Sequence, residues 1–358
     1  MKIVLIDTSV PINTRNMKII ESLQKHYSNS EITVITWNRD NYSEDIPSYY
    51  RVYNKEAEYG NPAQKLLRLL GFKKFLRKEL MHIQPDVIVA SHWDSLLLTP
   101  SDLKSKPMLI YENLDLPTGN AIIRKPIQWI ETLKLKKAHL IVHASRFFKE
   151  LYPIDIPQII LENKSTFAFD KVEPEQRERL SLAYIGTVRY RDILENFLNA
   201  ATLFSSIDVK VFGDGQDLKY LKGKFENKNV SFHGSYKFAE IPFIYAKSDV
   251  VWAAYPNKDF NVIYAISNKL HESLACGVPC IFANNTKLGD FVQDNKIGFT
   301  VDPYSVDSIK ELISSIIANK EKLPEYRKSL TAFGNKELTW DEDFKELVSQ
   351  INTFINKR

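Results

Sequence analysis

Apolar residues along this chain fall into short, nearly unbroken runs. Lys2–Asp7, Glu31–Trp37, Asp86–Ala90, Met108–Tyr111 and His139–His143 are the runs of the first half. Strands covered by helices on both faces read this way, because neither face meets water. Between them the period lengthens. Arg15–His26 places Met17, Ile20 and Leu23 on one side at helical spacing, and Leu66–Leu80 is helical too. The rhythm breaks near Ile159–Asp170, and the mostly charged residues 171–179 read as a linker. A second alternation follows. Its strands are Leu180–Gly186, Val209–Phe212, Val230–His233, Val250–Ala254 and Pro279–Phe282. Its helices are Asp192–Phe204, Leu218–Phe225, Phe238–Ala246, Ser267–Ala275 and Ser305–Asn319. The pattern predicts an α/β protein of two tandem Rossmann-like units, 1–165 and 171–340, each a parallel sheet flanked by helices. A last helix, about 341–358, follows Thr339-Trp340 and is long enough to pack back on the first unit.

Composition agrees and narrows the function. The chain has 358 residues, 44% hydrophobic and 26% charged, which suits two folded domains and excludes disordered, collagen-like or low-complexity architecture. No apolar run approaches the roughly 18 residues of a membrane span. Met1–Asp7 is too short for a secretory signal, so a cytoplasmic location is expected. Cys276 and Cys280 are the two cysteines. They make no disulfide framework and lack the further ligands of a structural zinc site, so no metal is expected. The net charge of +4 is too small to imply nucleic acid. Cations concentrate between Lys65 and Lys78, with Arg68, Lys73, Lys74 and Arg77. Leu66, Leu69, Leu70, Leu76 and Leu80 lie near one face of the same helix, a combination that predicts peripheral docking on anionic lipid. Ile122–Trp129 repeats the theme.

Ligands of open α/β sheets bind beyond the carboxyl ends of the strands. In the second unit Tyr184-Ile185-Gly186-Thr187-Val188-Arg189-Tyr190-Arg191 runs from a strand end through a glycine turn into a helix. A helix N-terminus and an arginine together suit phosphate, although an ordinary turn with exposed arginines has the same letters. Val211-Phe212-Gly213-Asp214-Gly215 is a second strand-end turn. The third candidate is Asn268-Lys269-Leu270-His271-Glu272, leading to Gly277-Val278-Pro279. Glu272 near a helix start is placed to accept hydrogen bonds from two vicinal hydroxyls, as acidic residues do with ribose. A helix-start glutamate with a C-cap glycine is the structural alternative.

These pieces, in this order from Ala183-Tyr184-Ile185-Gly186 to Gly298-Phe299-Thr300-Val301, resemble the second domain of GT-B glycosyltransferases of the retaining family 4 type. The first half matches in outline. The resemblance implies the GT-B fold, with an interdomain cleft between two Rossmann-like domains. It implies a nucleotide-sugar donor, UDP- or GDP-linked, held by the second domain, and an acceptor held by the first. In the family's usual motif two glutamates are separated by seven residues. Glu272 matches the second, which contacts ribose. The first, which contacts the donor sugar, is Tyr264 here, a departure. The diphosphate would be held by Arg189, with Arg191 or Lys269 in place of the family's lysine and backbone N–H groups from Gly186 and Thr187. Gly213, Asp214 and Asn268 complete the donor side. The family needs no metal, and the one Asp-x-Asp, Asp341-Glu342-Asp343, reads as a helix start.

On the acceptor side the candidates are Asn13 and Arg15 after the first strand, His92 after Asp86–Ala90, and Asp115 after Met108–Tyr111. His92 suits a bond to a sugar hydroxyl or a proton shuttle. The implied reaction moves a sugar to a saccharide, a lipid-linked saccharide or a glycoprotein, in bacterial surface polysaccharide or glycan biosynthesis, at or near the inner face of the membrane. In the retaining case the leaving phosphate takes the acceptor's proton. The competing readings are an inverting transferase, with His92 or Asp115 as base, and a non-catalytic transferase-like sugar- or nucleotide-binding protein.

Overall fold

The computed structural model describes residues 1–43, 45–56, 62–119, 121–164, 177–226, 228–337 and 339–358, leaving aside the side chains of 62–67 and 123. Residues 165–176, which include most of the expected linker, lie outside the described residues, as do the side chains of Lys65 and Leu66. The chain divides into two compact units, Met1–Asn163 with Trp340–Arg358, and Lys164–Thr339.

The first unit holds β1 (Lys2–Asp7), β2 (Glu31–Asn38), β3 (Tyr50–Asn54), β4 (Val87–Ser91), β5 (Met108–Asn113), β6 (Leu140–His143) and β7 (Gln158–Ile160). They form one parallel sheet in the order β3-β2-β1-β4-β5-β6-β7. Its helices are α1 (Thr14–His26), α2 (Pro62–Ile83), α3 (His92–Leu98) and α4 (Ala121–Leu135). The second unit holds β8 (Leu180–Ile185), β9 (Ile207–Phe212), β10 (Val230–Gly234), β11 (Val250–Trp252), β12 (Cys280–Ala283) and β13 (Gly298–Val301). Their order is β10-β9-β8-β11-β12-β13, again all parallel. Its helices are α5 (Arg191–Ala201), α6 (Leu218–Phe225), α7 (Ile241–Ala246), α8 (Phe260–Tyr264), α9 (Asn268–Cys276), α10 (Lys287–Asp294), α11 (Val306–Ala318) and α12 (Leu323–Gly334). The last helix, α13 (Trp340–Asn356), buries Trp340, Phe344, Leu347 and Ile351 in the core of the first unit, against Ile19, Leu23 and Ile159.

Both sheets reverse direction of growth once, between β1 and β4 and between β8 and β11. Those topological switch points are where open α/β sheets accept ligands. Three strands escaped the sequence pattern. β3, β7 and β13 are edge strands of three to five residues with partly exposed side chains, so none carries a continuous apolar run. The apolar side of α2 goes to the core: Phe72, Leu76 and Leu80 are fully buried, and of the leucines expected on a lipid-facing side Leu70 is the one markedly exposed among those whose side chains are described. The docking surface expected at Lys65–Lys78 therefore lacks most of its apolar half, because the sheet has used it.

Candidate active site

In the second unit the switch point lies between the turn after β8 and the segment after β11. Gly186 sits at φ +149, a conformation side chains rarely adopt, and a Cβ there would meet nothing closer than the Tyr184 hydroxyl at 3.8 Å. Its N–H donates to the Phe212 carbonyl at 3.0 Å. Gly213 is glycine for another reason. A Cβ on it would lie 1.8 Å from the Gly186 carbonyl oxygen, so the two turns are packed backbone to backbone. The Asp214 carbonyl accepts from Val188 N–H at 2.9 Å, and its carboxylate accepts from Gly215 N–H at 2.7 Å. Gly213 and Asp214 thus brace the turn that carries Gly186, Thr187 and Arg189. The Thr187 carbonyl accepts from the Tyr184 hydroxyl.

The two arginines of this turn separate. Arg191 opens α5, bonds Asp217 at 3.2 Å and lies over the Tyr220 ring at 4.5 Å. Arg189 is exposed beside the glycine turn, its guanidinium 4.8 Å from the Tyr190 ring centre. Arg191, half-exposed, is thus shared with Asp217 at the start of α6 and with Tyr220 on it. Lys269 is likewise engaged. Ser267 caps α9 by accepting from Lys269 N–H at 3.2 Å, and one turn on, the Lys269 ammonium pairs with Glu272. Glu272 also accepts from the buried Tyr245 hydroxyl at 3.0 Å. Lys269 is a clamp on Glu272, in place of an independent phosphate cation. Both are nearly buried, so each restrains the other's rotamer.

Two tyrosines unforeseen from the sequence tie the pieces together. Tyr255, after β11, hydrogen-bonds Ser267. Burial pushes its hydroxyl up to about 12; the Glu272 charge adds to the rise and the Arg189 charge opposes it. One hydroxyl therefore feels both the guanidinium after β8 and the carboxylate on α9. Tyr236, after β10, is raised by burial, with Lys269 opposing and Glu272 adding. Their only signal in the sequence is position just past a strand end. Asn268 is exposed as the first residue of α9. Tyr264 ends α8, 5.3 Å from the Phe260 ring and 5.9 Å from the Lys287 ammonium.

At the first unit's switch point the picture differs. Asp7, ending β1, accepts from Ser9 N–H at 3.0 Å, Ser9 Oγ at 2.8 Å, Asn13 N–H at 3.1 Å and Asn16 Nδ2 at 2.7 Å. Asn13 is exposed and caps α1, its Oδ1 accepting from Arg15 N–H at 2.9 Å. Arg15 departs from expectation. Its side chain is 2% exposed and turned inward, with Nε 2.6 Å from Glu112 Oε1 and its guanidinium carbon 5.5 Å from the Trp340 ring. Only Nε is so engaged: Nη1 and Nη2 are buried without a hydrogen-bond partner, and with 2% of the side chain exposed Arg15 presents no open face to an acceptor.

His92 opens α3 at φ +71, directly after β4. Its Nδ1 lies 3.0 Å from Asp94 Oδ1. Asp94 accepts in turn from Thr8 Oγ1 at 2.6 Å and from Ser95 N–H at 2.8 Å. Burial pulls the His92 pKa down, but the hydrogen bond and charge of Asp94, with Asp115 and Asp7 adding, outweigh it and hold the imidazole above its usual value. Asp94 is held low despite burial by His92, Thr8 and the Ser95 N–H. Asp115, past β5, is within electrostatic reach of His92. Asp94 and Thr8 belong to this cluster and were not foreseen. Among the described residues no helix is long and apolar enough to cross a membrane, and no group of three His, Cys, Asp or Glu side chains is arranged for a metal ion.

Comparison with known proteins gives this geometry a lineage. No curated protein matches the chain in sequence. Among solved structures, the sucrose-phosphate synthase of Thermosynechococcus elongatus is similar over 100% of both chains, with TM-score 0.77 and 12% identity. The Anabaena protein HepE in complex with UDP is similar over 99% of this chain and 100% of its own, with TM-score 0.73 and 13% identity. WaaG, a glycosyltransferase involved in lipopolysaccharide biosynthesis, is similar over 96% and 98%, with TM-score 0.68 and 10% identity. At such identities the likeness is one of fold, the GT-B fold. Residues 165–336 match the family of glycosyl transferases group 1. The second unit therefore carries a glycosyl transferases group 1 domain, and the chain as a whole has the GT-B fold.

Proposed function

We propose that the second unit binds a UDP-linked sugar and that the chain transfers this sugar, with retention, to a glycan or lipid-linked glycan acceptor. The observation that carries the donor assignment is that one sheet's carboxyl edge holds both the glycine turn with the exposed Arg189 and the start of α9, where Glu272 is held by Lys269 and Tyr245. In this reading Glu272, clamped by Lys269 and Tyr245, accepts from the ribose hydroxyls. Arg189 and the Thr187 N–H receive the diphosphate, where negative charge grows as the sugar leaves; the Gly186 N–H, expected there too, is already spent on the Phe212 carbonyl. Tyr264 and Asn268 face the donor sugar in place of the family's first glutamate. UDP is favoured over GDP because HepE is seen with UDP and with UDP-glucose.

His92 and Asp115 serve the acceptor or donor sugar hydroxyls, with Asn13 at their rim. His92, its Nδ1 3.0 Å from Asp94 Oδ1, is held to bond a sugar hydroxyl, and in the retaining reading the leaving phosphate takes the acceptor's proton. Surface glycan synthesis is the setting this chemistry suits.

A thermal-shift series with UDP, GDP, CDP and their sugars tests the reading. A specific binder at a hundred times its Kd adds about 2.7 kcal/mol to the native state. UDP is expected to raise the transition and GDP and CDP to leave it in place. No shift with any of the three removes the donor assignment.

A further inference from the structure

Helix α4 is mounted the wrong way round for a helix that faces water. Ile122, Pro126, Trp129 and Leu133 recur at spacings of four, three and four, so they form one stripe, and Glu131 falls on the opposite side. Ordinary patterning would bury the stripe and expose the glutamate. Here Glu131 is 1% exposed, bonded by the Tyr111 hydroxyl at 2.6 Å and the Tyr152 hydroxyl at 2.9 Å. Leu135 is buried beside it. Ile122 is 83% exposed, Trp129 66%, and Ile130 and Leu133 43% each. Two tyrosines thus lock the carboxylate inward and turn an isoleucine, a tryptophan and a leucine toward solvent.

Charge indicates what covers the stripe. Between Ala121 and Lys137 the sole carboxylate is the buried Glu131. Lys125, Lys136 and Lys137 are exposed and flank the stripe. A protein partner would meet an apolar strip rimmed by one sign of charge. An anionic bilayer surface offers acyl chains for the strip and phosphates for the lysines, with a tryptophan at the depth where its ring is most at home. We propose that α4 docks the protein peripherally on anionic lipid, lying in the headgroup plane. This surface does not depend on the donor assignment, since it is read entirely within the first unit and needs no nucleotide to form.

The probe is sonicated vesicles of phosphatidylcholine with phosphatidylglycerol, against phosphatidylcholine alone, with no nucleotide present. Trp37, Trp252 and Trp340 are buried and Trp93 is half-buried, so Trp129 is the tryptophan that would report entry into lipid. The expected result is a blue-shifted emission and co-sedimentation with the anionic vesicles, weakened at high salt. Trp129→Ser and Leu133→Ser should each lower partitioning about tenfold. Lys125→Gln with Lys136→Gln and Lys137→Gln should remove the preference for anionic lipid while circular dichroism and nucleotide-induced thermal shifts stay unchanged. No binding at low salt, or binding that Trp129→Ser leaves intact, overturns the proposal. So does self-association in the ultracentrifuge that Trp129→Ser abolishes, which would give the stripe to a second copy. A loss of UDP binding without loss of vesicle binding would strike the proposed donor site alone.

Discussion

At the carboxyl edge of the first sheet, Asp7, Ser91, Glu112, Asn113 and His143 are buried and already bonded to protein. At the same edge of the second sheet the strand ends run into glycine turns, with Arg189 exposed and Glu272 held on α9 by Lys269 and Tyr245. Two sheets of the same order therefore end in opposite ways. One edge is filled with side chains bonded to one another, with His92, Asp94, Asp115 and Asn13 near its rim. The other edge presents an exposed turn, at Thr187 and Arg189, and charge. A polar group already bonded inside the protein gains little by turning to a ligand, whereas an open N–H or a guanidinium gains a charge-assisted bond. The contrast explains why the nucleotide is assigned to the second unit.

The contrast can be broken most severely at Glu112. Glu112→Ala leaves the Arg15 charge buried without its carboxylate, which should cost about 3–5 kcal/mol in the urea transition of the first unit. Arg15→Ala should likewise weaken folding and leave the acceptor KM unchanged in the folded fraction. A stable Arg15→Ala protein with a raised acceptor KM would return Arg15 to the acceptor surface.

Acid should act unequally on the two edges. Burial lowers the His143 pKa to about 4 from a reference of 6.5. A buried neutral histidine is fully stabilising above its unfolded pKa, and the folded state then resists the proton that the unfolded chain accepts. Stability is lost as pH falls from about 6.5 toward 4 and levels off below, a total of roughly 3 kcal/mol. His143→Asn should flatten the dependence of the first unit's melting temperature over that window. If the slope persists in the variant, other groups carry it.

The mildest change sharpens the second edge alone. Arg189→Ala and Glu272→Gln should each weaken UDP binding about ten- to a hundredfold, the worth of one charge-assisted bond, with melting temperature in the absence of nucleotide nearly unchanged for Arg189→Ala. The glutamine keeps an acceptor for Tyr245, which alanine would orphan. Titration calorimetry with UDP measures both. Wild-type affinity in the two variants would separate these residues from the donor.

Much of the architecture was legible in the letters. Ile3–Ile6, Val87–Ala90 and Leu182–Ile185 are apolar without interruption because each central strand is covered on both faces, and that pattern needs no tertiary information to read. Edge strands such as Tyr50–Asn54 were illegible because one side meets solvent and the apolar run dissolves. Site residues divided along the same line. Glu272 and Arg189 stood out by motif and by position past a strand end. Arg15 carried the same kind of signal, yet its orientation depended on Glu112, 97 positions away, which no local pattern reveals.

The alternation of central strands with helices and the placing of candidate groups at strand ends follow from periodicity, a property of near neighbours that the chain carries with it; the order of strands within each sheet was settled in three dimensions. What each candidate does with its charge was decided by residues distant in sequence: Asp217 for Arg191, Lys269 and Tyr245 for Glu272, Asp94 for His92, and Tyr111 with Tyr152 for the rotation of α4. A charge near other polar groups settles on the partner that lowers its energy most, and that partner is chosen in three dimensions.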